Sequence, residues 1–405
     1  MTPERQADGP LAGVRVLDLT SVFLGPYCTQ MLGDMGADIV KIEPPGGDST
    51  RYLGPSRSPG MSGTFLNINR NKRSLQLNLK ADGAVAVLER LAASCDVMVH
   101  NMRPAAAKRL GIDYGWARAQ NDTIIYCAAF GFGAGGRYSG QPAFDDSIQA
   151  ISGIAGYQGL LSGQPAYCGT VVADKATGMM TANAILGALF ARATTGKGQS
   201  VEVPMFETMV SFALAEHLFG AAFEPPLSPP IYPRVVSEYR RPYRTADGFL
   251  SVVPYTDRHW SAMFRVIDRQ DLIDDPRFGD MAGRTENIDA LYRILSEALT
   301  GKTTAQWQAA LSDNDIPNVP VRDPKDLLDD PHLQDVGFFV EAVHPSEGAI
   351  RMTAPPVAFS STPQAIRRVA PRLGQHSAEI LKEFGFSDRE VDALMAAGTV
   401  AGPAA

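Results

Sequence analysis

The sequence predicts an α/β fold: a mainly parallel, doubly wound sheet with helices on both faces, followed by a second, smaller unit. Three observations predict it. Strand and helix signals alternate in a β-α-β-α-β rhythm through the first third of the chain. The 405 residues exceed what one core of roughly 250–300 residues holds. A segment at 224–233 with five prolines then breaks the chain and reads as a linker.

The elements follow in order. Val14-Arg15-Val16-Leu17-Asp18-Leu19 reads as a strand. Pro26 opens a helix that runs through Gln30 to Met35 and stops at Gly36. Asp38-Ile39-Val40-Lys41-Ile42 is a second strand, and the strict alternation of Ser74-Leu75-Gln76-Leu77-Asn78-Leu79 a third. Residues 83–93 form an amphipathic helix, 96–99 a strand, 105–110 a short helix and 123–130 a buried strand. Residues 174–193 are small and apolar almost all round, which predicts a long, buried helix. A strand at 200–203 and a helix at 205–217 close this part. After the linker come a strand at 249–253 and helices near 258–267, 285–299 and 303–312. Beyond about 330 the chain reads as loop-rich. It ends in helices at about 376–384 and 388–397, the last capped by Ser387 and Glu390 and stopped by Gly398.

Apolar residues make up 45% and charged residues 20%, as in an ordinary globular protein. The net charge of −7 carries no basic footprint, so no nucleic-acid partner is expected. No apolar run is long enough to span a membrane. Residues 1–10 lack a signal peptide's apolar stretch and read as a frayed tail, which predicts a cytoplasmic protein. Cys28, Cys95, Cys127 and Cys168 lie far apart in apolar stretches. They read as buried free thiols, and no metal site is expected. Gly131-Phe132-Gly133-Ala134-Gly135-Gly136 fits G-x-G-x-x-G, but Arg137-Tyr138-Ser139-Gly140 after it is loop. No helix N-terminus is there to hold a pyrophosphate. The six histidines are scattered, and none is paired in sequence with a nucleophile.

Asp174 stands between Val171-Val172-Ala173 and the long helix. Its local pattern is that of an N-cap, a position where most aspartates do nothing else. The same position suits a nucleophile. A helix N-terminus favours the charged carboxylate, and its N–H groups receive an oxyanion.

Several segments together resemble a known family. Gly13-Val14-Arg15-Val16-Leu17-Asp18 leads into Gly25-Pro26-Tyr27-Cys28-Thr29-Gln30. Gly36-Ala37-Asp38-Ile39-Val40-Lys41-Ile42-Glu43 leads into Gly47-Asp48 and Arg51. Asn69-Arg70-Asn71-Lys72-Arg73-Ser74 precedes Asp96-Val97-Met98-Val99-His100-Asn101, and Thr195-Gly196-Lys197-Gly198-Gln199 follows the Asp174 helix. From Leu11 to about Val400 the chain resembles the class III CoA-transferases. These include formyl-CoA:oxalate and carnitine CoA-transferases and, as a branch, α-methylacyl-CoA racemase.

The resemblance implies a Rossmann-like large domain built from both chain ends (1–222 and 330–405), with an inserted small domain and linker at 223–329. It also implies a homodimer of interlocked rings. It makes Asp174 the catalytic nucleophile, since Asp174-Lys175-Ala176-Thr177-Gly178 matches the family's aspartate and helix start. Acyl-CoA is then a substrate, with no tightly bound cofactor, and a free carboxylic acid is the acceptor. By position, Lys80, Asn101 and Arg109 are expected to meet CoA, Leu79 and Met102 to pack beside it, and Val22 and Phe23 to line its channel. Arg70, Lys72 and Arg73 are further phosphate candidates.

The racemase branch needs a histidine where Phe144 stands in Ala143-Phe144-Asp145-Asp146, and phenylalanine cannot abstract an α-proton. Transfer is therefore expected. A 2-methylacyl-CoA racemase and a non-catalytic CoA-binding protein are the alternatives. Asp145 reads as an N-cap or as an organiser of the site. The glycine run that closes over the aspartate in the formyl-CoA type has no counterpart in the linker or small domain. Arg234, Arg240, Arg241 and Arg244 lie there beside Tyr239 and Tyr243. One such arginine can hold the second carboxylate of a dicarboxylic acid in a bidentate pair.

Overall fold

A computed structural model describes residues 9–403; residues 1–8, where most of the expected tail falls, lie outside the described residues. The chain divides into two compact units. One comprises residues up to 152, 170–210 and from 331 onward; the other comprises 153–169 and 211–330. The expected boundaries at 222/223 and 329/330 compare with divisions at 210/211 and 330/331.

The first unit carries the large sheet. Its strands are β1 (Arg15–Leu19), β2 (Asp38–Glu43), β3 (Lys72–Leu77), β4 (Val97–His100), β5 (Ile125–Phe130), β6 (Gln199–Pro204) and β7 (Val400–Ala401). The order is β7-β3-β2-β1-β4-β5-β6. Every neighbouring pair is parallel except β7 on β3, which closes one edge antiparallel. The parallel strands are joined through α1 (Leu24–Asp34), α2 (Gly63–Ile68), α3 (Ala84–Ala93), α4 (Pro104–Arg109), α5 (Tyr114–Gln120), α6 (Asp145–Ile151) and α8 (Val172–Thr195), with α7 (Ile154–Ser162) in the other unit. Such crossovers bury both faces, so β2 and β5 are buried almost throughout, β2 with Lys41 and Glu43 inside and β5 with apolar side chains. Leu17, Val40, Leu75 and Leu77 on one face pack with Val87, Leu88 and Leu91 of α3 and with Ile380 and Leu381 near the C-terminus.

Pro26 does not open the first helix but sits third in it, still within the turn that tolerates a missing N–H. The chain after 330 is less loop-rich than expected: Phe339–His344 and Gly348–Thr353 pair as an antiparallel hairpin. Ser387 and Glu390 form the expected capping box, and Gly398 follows that helix at φ +69°. Cys28, Cys95 and Cys127 are buried free thiols; Cys168 is half-buried.

The long helix departs from expectation. α8 buries one stripe, Thr177, Thr181, Ile185 and Ala188, and packs against α1. Its other faces stay open: Met179, Met180 and Phe190 are 50%, 46% and 74% exposed. An all-round apolar composition does not distinguish a helix covered by its own chain from one with an uncovered face.

The second unit has its own core, in which Trp260, Met263 and Phe264 pack with Leu291, Tyr292 and Leu295 around a three-stranded antiparallel sheet.

Candidate active site

In an open parallel sheet, ligands bind beyond the carboxyl ends of the strands, where the strand order reverses. Here that point lies between β1 and β4. The chain leaves β1 toward β2 on one side and returns to β4 on the other. The loops after β1 and β4 therefore diverge, and they are tied together: Ser21 N–H donates to Asn101 Oδ1 at 3.0 Å, and Asn101 Nδ2 donates to Ser21 O at 2.7 Å. Gly25 allows the first loop to fold back, since a Cβ there would lie 2.2 Å from Thr20 Cβ. Helix α1 begins at Leu24 with no side-chain cap, so its first N–H groups remain available to an oxyanion.

His100, at the end of β4, is held neutral by burial, with its pKa pushed down to about 4. Its Nδ1 accepts from Met102 N–H at 3.2 Å, and its Nε2 meets the Tyr126 hydroxyl at 2.7 Å, which donates to Ile112 O. The proton therefore sits on Nε2, and the ring fixes the loop after β4.

A cavity of about 400 Å³ opens at this point. Ser21, Val22 and Leu24 line it from the first loop, Asn101, Met102 and Arg103 from the second, and Phe144 and Asp174 from farther along the chain. Among the described residues no histidine lines it. Phe144, which the resemblance aligns with the racemase branch's histidine, lines the cavity and is 70% exposed.

Asp174 is not the N-cap. The cap position is Val171, and Asp174 is the third residue of α8. The capping role passes to Asp145, 29 residues earlier: its Oδ1 accepts from Asp174 N–H at 2.9 Å, and its Oδ2 from Gln149 Nε2 at 2.6 Å. Asp145 is itself the first residue of α6, whose cap position is Phe144. Among the described residues no donor bonds the Asp174 carboxylate. Burial first, and the Asp145 carboxylate second, push its pKa from the ordinary 3.8 to about 7. Burial and Asp145 thus favour the neutral form, against the expectation that the helix N-terminus keeps the carboxylate ionised. A half-buried carboxylate of raised pKa, without a hydrogen-bond donor among the described residues and facing a cavity, is chemically fit to act as a nucleophile.

Of the other sequence-predicted residues, Val22, Asn101 and Met102 share this cavity with Asp174. Phe23 precedes α1 half-buried. Leu79 packs on the sheet core, Lys80 is exposed just beyond β3, and Arg109 is exposed in the last turn of α4. None of these four lines the cavity. The further phosphate candidates are internally paired. Arg70 forks Asp34 at 2.9 and 2.7 Å. Lys72 is buried against Pro26 O, Asn69 and Asp18. Arg73 is shared by Asp38, Glu379 and Glu383. Arg103 was missed; the signal was its place between Met102 and Pro104, directly after the β4 strand. In the second unit, Arg234 Nε donates to the Tyr292 hydroxyl at 2.9 Å, with its guanidinium over the Tyr255 ring. Arg240, Arg241 and Arg244 are exposed. Gly131–Gly136 is loop, as expected, and Gly133 N–H donates to Glu207.

The family model described as CoA-transferase family III matches residues 11–377. Succinyl-CoA:glutarate CoA-transferase of Homo sapiens is 32% identical over 396 residues, covering 96% of this chain and 90% of that protein. Succinyl-CoA:mesaconate CoA-transferase of Haloarcula hispanica is 33% identical over 392 residues, covering 93% and 97%. Among solved structures, a CAIB/BAIF family protein from Brucella suis is similar with a TM-score of 0.78 at 28% identity, over 93% of this chain and 100% of that one. With the family pattern running through nearly the whole sequence and the same fold beneath it, the chain belongs to CoA-transferase family III and is a CoA-transferase.

Proposed function

We propose that the enzyme moves coenzyme A from an acyl-CoA thioester to a small dicarboxylic acid, with Asp174 as the covalent carrier. The carboxylate attacks the thioester carbonyl, the C–S bond breaks, and CoA leaves as thiolate from a mixed anhydride. The thiolate attacks the aspartyl carbonyl, giving an aspartyl-CoA thioester and the free donor acid. The acceptor carboxylate displaces the thiolate to form a second anhydride. Thiolate attack on its acyl carbon then releases the new acyl-CoA and restores Asp174. No ATP is needed, because the thioester bond energy is retained.

One observation carries this reading: an unbonded, half-buried carboxylate of raised pKa opens on the cavity at the sheet's reversal point. Val22, Asn101, Met102 and Arg103 are the residues proposed to receive CoA there. The dicarboxylate class is supported by the relatives named for succinyl-CoA with glutarate or mesaconate. An interlocked homodimer is part of the proposal, supported by the uncovered apolar side of α8. The test is incubation with donor acyl-CoA followed by hydroxylamine. A hydroxamate at Asp174, absent in Asp174→Ala, is expected; its absence from the active wild type sinks the scheme.

A further inference from the structure

We propose that Asp48 is a positioning residue: from inside a buried ion pair it holds Val22 in a left-handed conformation and so fixes the wall of the Asp174 cavity. Val22 has φ +68°, in a region that β-branched residues scarcely visit. Such strain persists only where the surroundings over-determine it. Here they do. Thr20 N–H donates to Asp18 Oδ1 at 2.9 Å, and Thr20 O accepts from Lys41 Nζ at 2.9 Å. Ser21 is tied at both N–H and C=O by Asn101. Val22 N–H donates to Asp48 Oδ1 at 3.2 Å.

Asp48 is a firm anchor. Its Oδ2 meets Lys41 Nζ at 3.0 Å, with the two side chains 1% and 0% exposed. Its own N–H donates to Glu43 Oε2, and Arg51 forks Glu43 at 2.7 Å on both oxygens. The anchor thus runs from the sheet core to a loop whose Ser21, Val22 and Leu24 line the cavity with Asp174.

A glycine at position 22 would adopt this conformation without cost. With valine there, the loop holds its shape only while the clamp holds. If Val22 relaxed to negative φ, the chain would leave the loop in another direction, and the start of α1 with it. A wall fixed in advance aligns a bound acyl group with the nucleophile, where small misplacements cost large factors in rate.

The test is a double-mutant cycle between Asp48→Asn and Val22→Gly. Asp48→Asn leaves one acceptor oxygen for which Lys41 Nζ and Val22 N–H compete, and is expected to lower kcat/KM about tenfold beside Val22, the scale of an unfavourable left-handed residue released. In the Val22→Gly background, itself slower because its loop is looser, the further loss is expected to stay under about threefold. The fall in Tm from weakening the Lys41 pair should be alike in both backgrounds. Equal fold-losses of kcat/KM in both backgrounds would overturn the proposal and leave Asp48 merely structural. Should Asp48→Asn not fold, Asp48→Glu replaces it, keeping the charge for Lys41 while displacing the oxygen from Val22 N–H, with the same coupling expected and its absence equally decisive. The kinetic readout rests on the Asp174 scheme, so calorimetric affinity for CoA alone is measured through the same cycle. Failure of trapping at Asp174 leaves that binding cycle readable, and an uncoupled binding cycle rejects the Asp48 clamp alone.

Discussion

Replacing Asp174 by asparagine should stabilise the protein, and only above a definite pH. The folded state raises this pKa from 3.8 to about 7. That difference is roughly 4 kcal/mol against the charged form, an upper bound because the side chain faces an open cavity. The sign follows from proton binding. Between pH 4 and 7 the folded chain holds a proton that the unfolded chain has lost, so stability falls as pH rises through this window. Above 7 the whole penalty is present; below about 4 it is gone. Asp174→Asn keeps the shape and removes the charge. A realistic gain of ~1–3 kcal/mol at pH 8 corresponds to several degrees of Tm at roughly 2–4 °C per kcal/mol for a large domain. Thermal unfolding of both proteins at pH 8 and pH 4.5 measures it. A gain at pH 8 that shrinks toward pH 4.5 is expected. A gain equal at both, or a loss at pH 8, refutes the claim that a charged Asp174 is held at a cost.

Three further outcomes are expected. Asp145→Asn keeps an acceptor for Asp174 N–H but removes the second cause of the raised pKa. The acidic limb of the kcat/KM profile, expected near pH 7 in the wild type, should move down by roughly one pH unit or less, because burial remains. Gly178→Ala puts a Cβ 2.7 Å from Leu24 O, forcing α1 from α8 one turn below Asp174. A loss of ~1–3 kcal/mol in denaturant unfolding and a fall in transfer rate should appear together. Arg70→Ala leaves Asp34 buried without its partner and should cost ~3–5 kcal/mol, while CoA affinity of the folded protein, read by calorimetry, stays the same.

The βαβ rhythm was legible because the strands read as short apolar or alternating runs and some helices carry their own punctuation. Ser387, Glu390 and Gly398 delimit the last helix without help from the rest of the chain. What depends on contacts distant in sequence was not legible. Arg70, Lys72 and Arg73 read as free cations. Their carboxylates, Asp34, Asp18 and Asp38, arrive from the first βαβ unit, more than thirty residues earlier. The strain at Val22 was hidden for the same reason, since nothing local favours it and Asp48 imposes it. The family pattern singled out Asp174 as the nucleophile, and the structure places it on the cavity wall, whereas its helix position was misjudged. Val171-Val172-Ala173 looks like an approach to a helix, and two of these residues are already inside it.

That misjudged position matters to the chemistry. An aspartate that caps its own helix spends its oxygens on the N–H groups behind it, which lowers its pKa and turns the carboxylate away from substrate. Here Asp145 takes over the bond to the α8 backbone, and the Asp174 carboxylate is left unbonded at the cavity. The arrangement has two linked consequences. The helix end is still satisfied, so the first turn of α8 remains ordered. The freed carboxylate, half-buried and beside a like charge, is less stable in its ionised form and gains basicity. In the proposed scheme, a nucleophile that forms an anhydride and then a thioester benefits from that basicity in its ionised form, and a pKa of about 7 places the ionised form within reach at neutral pH. The capping role and the proposed nucleophilic role, which the sequence placed on one residue, fall to two aspartates that only the fold brings together.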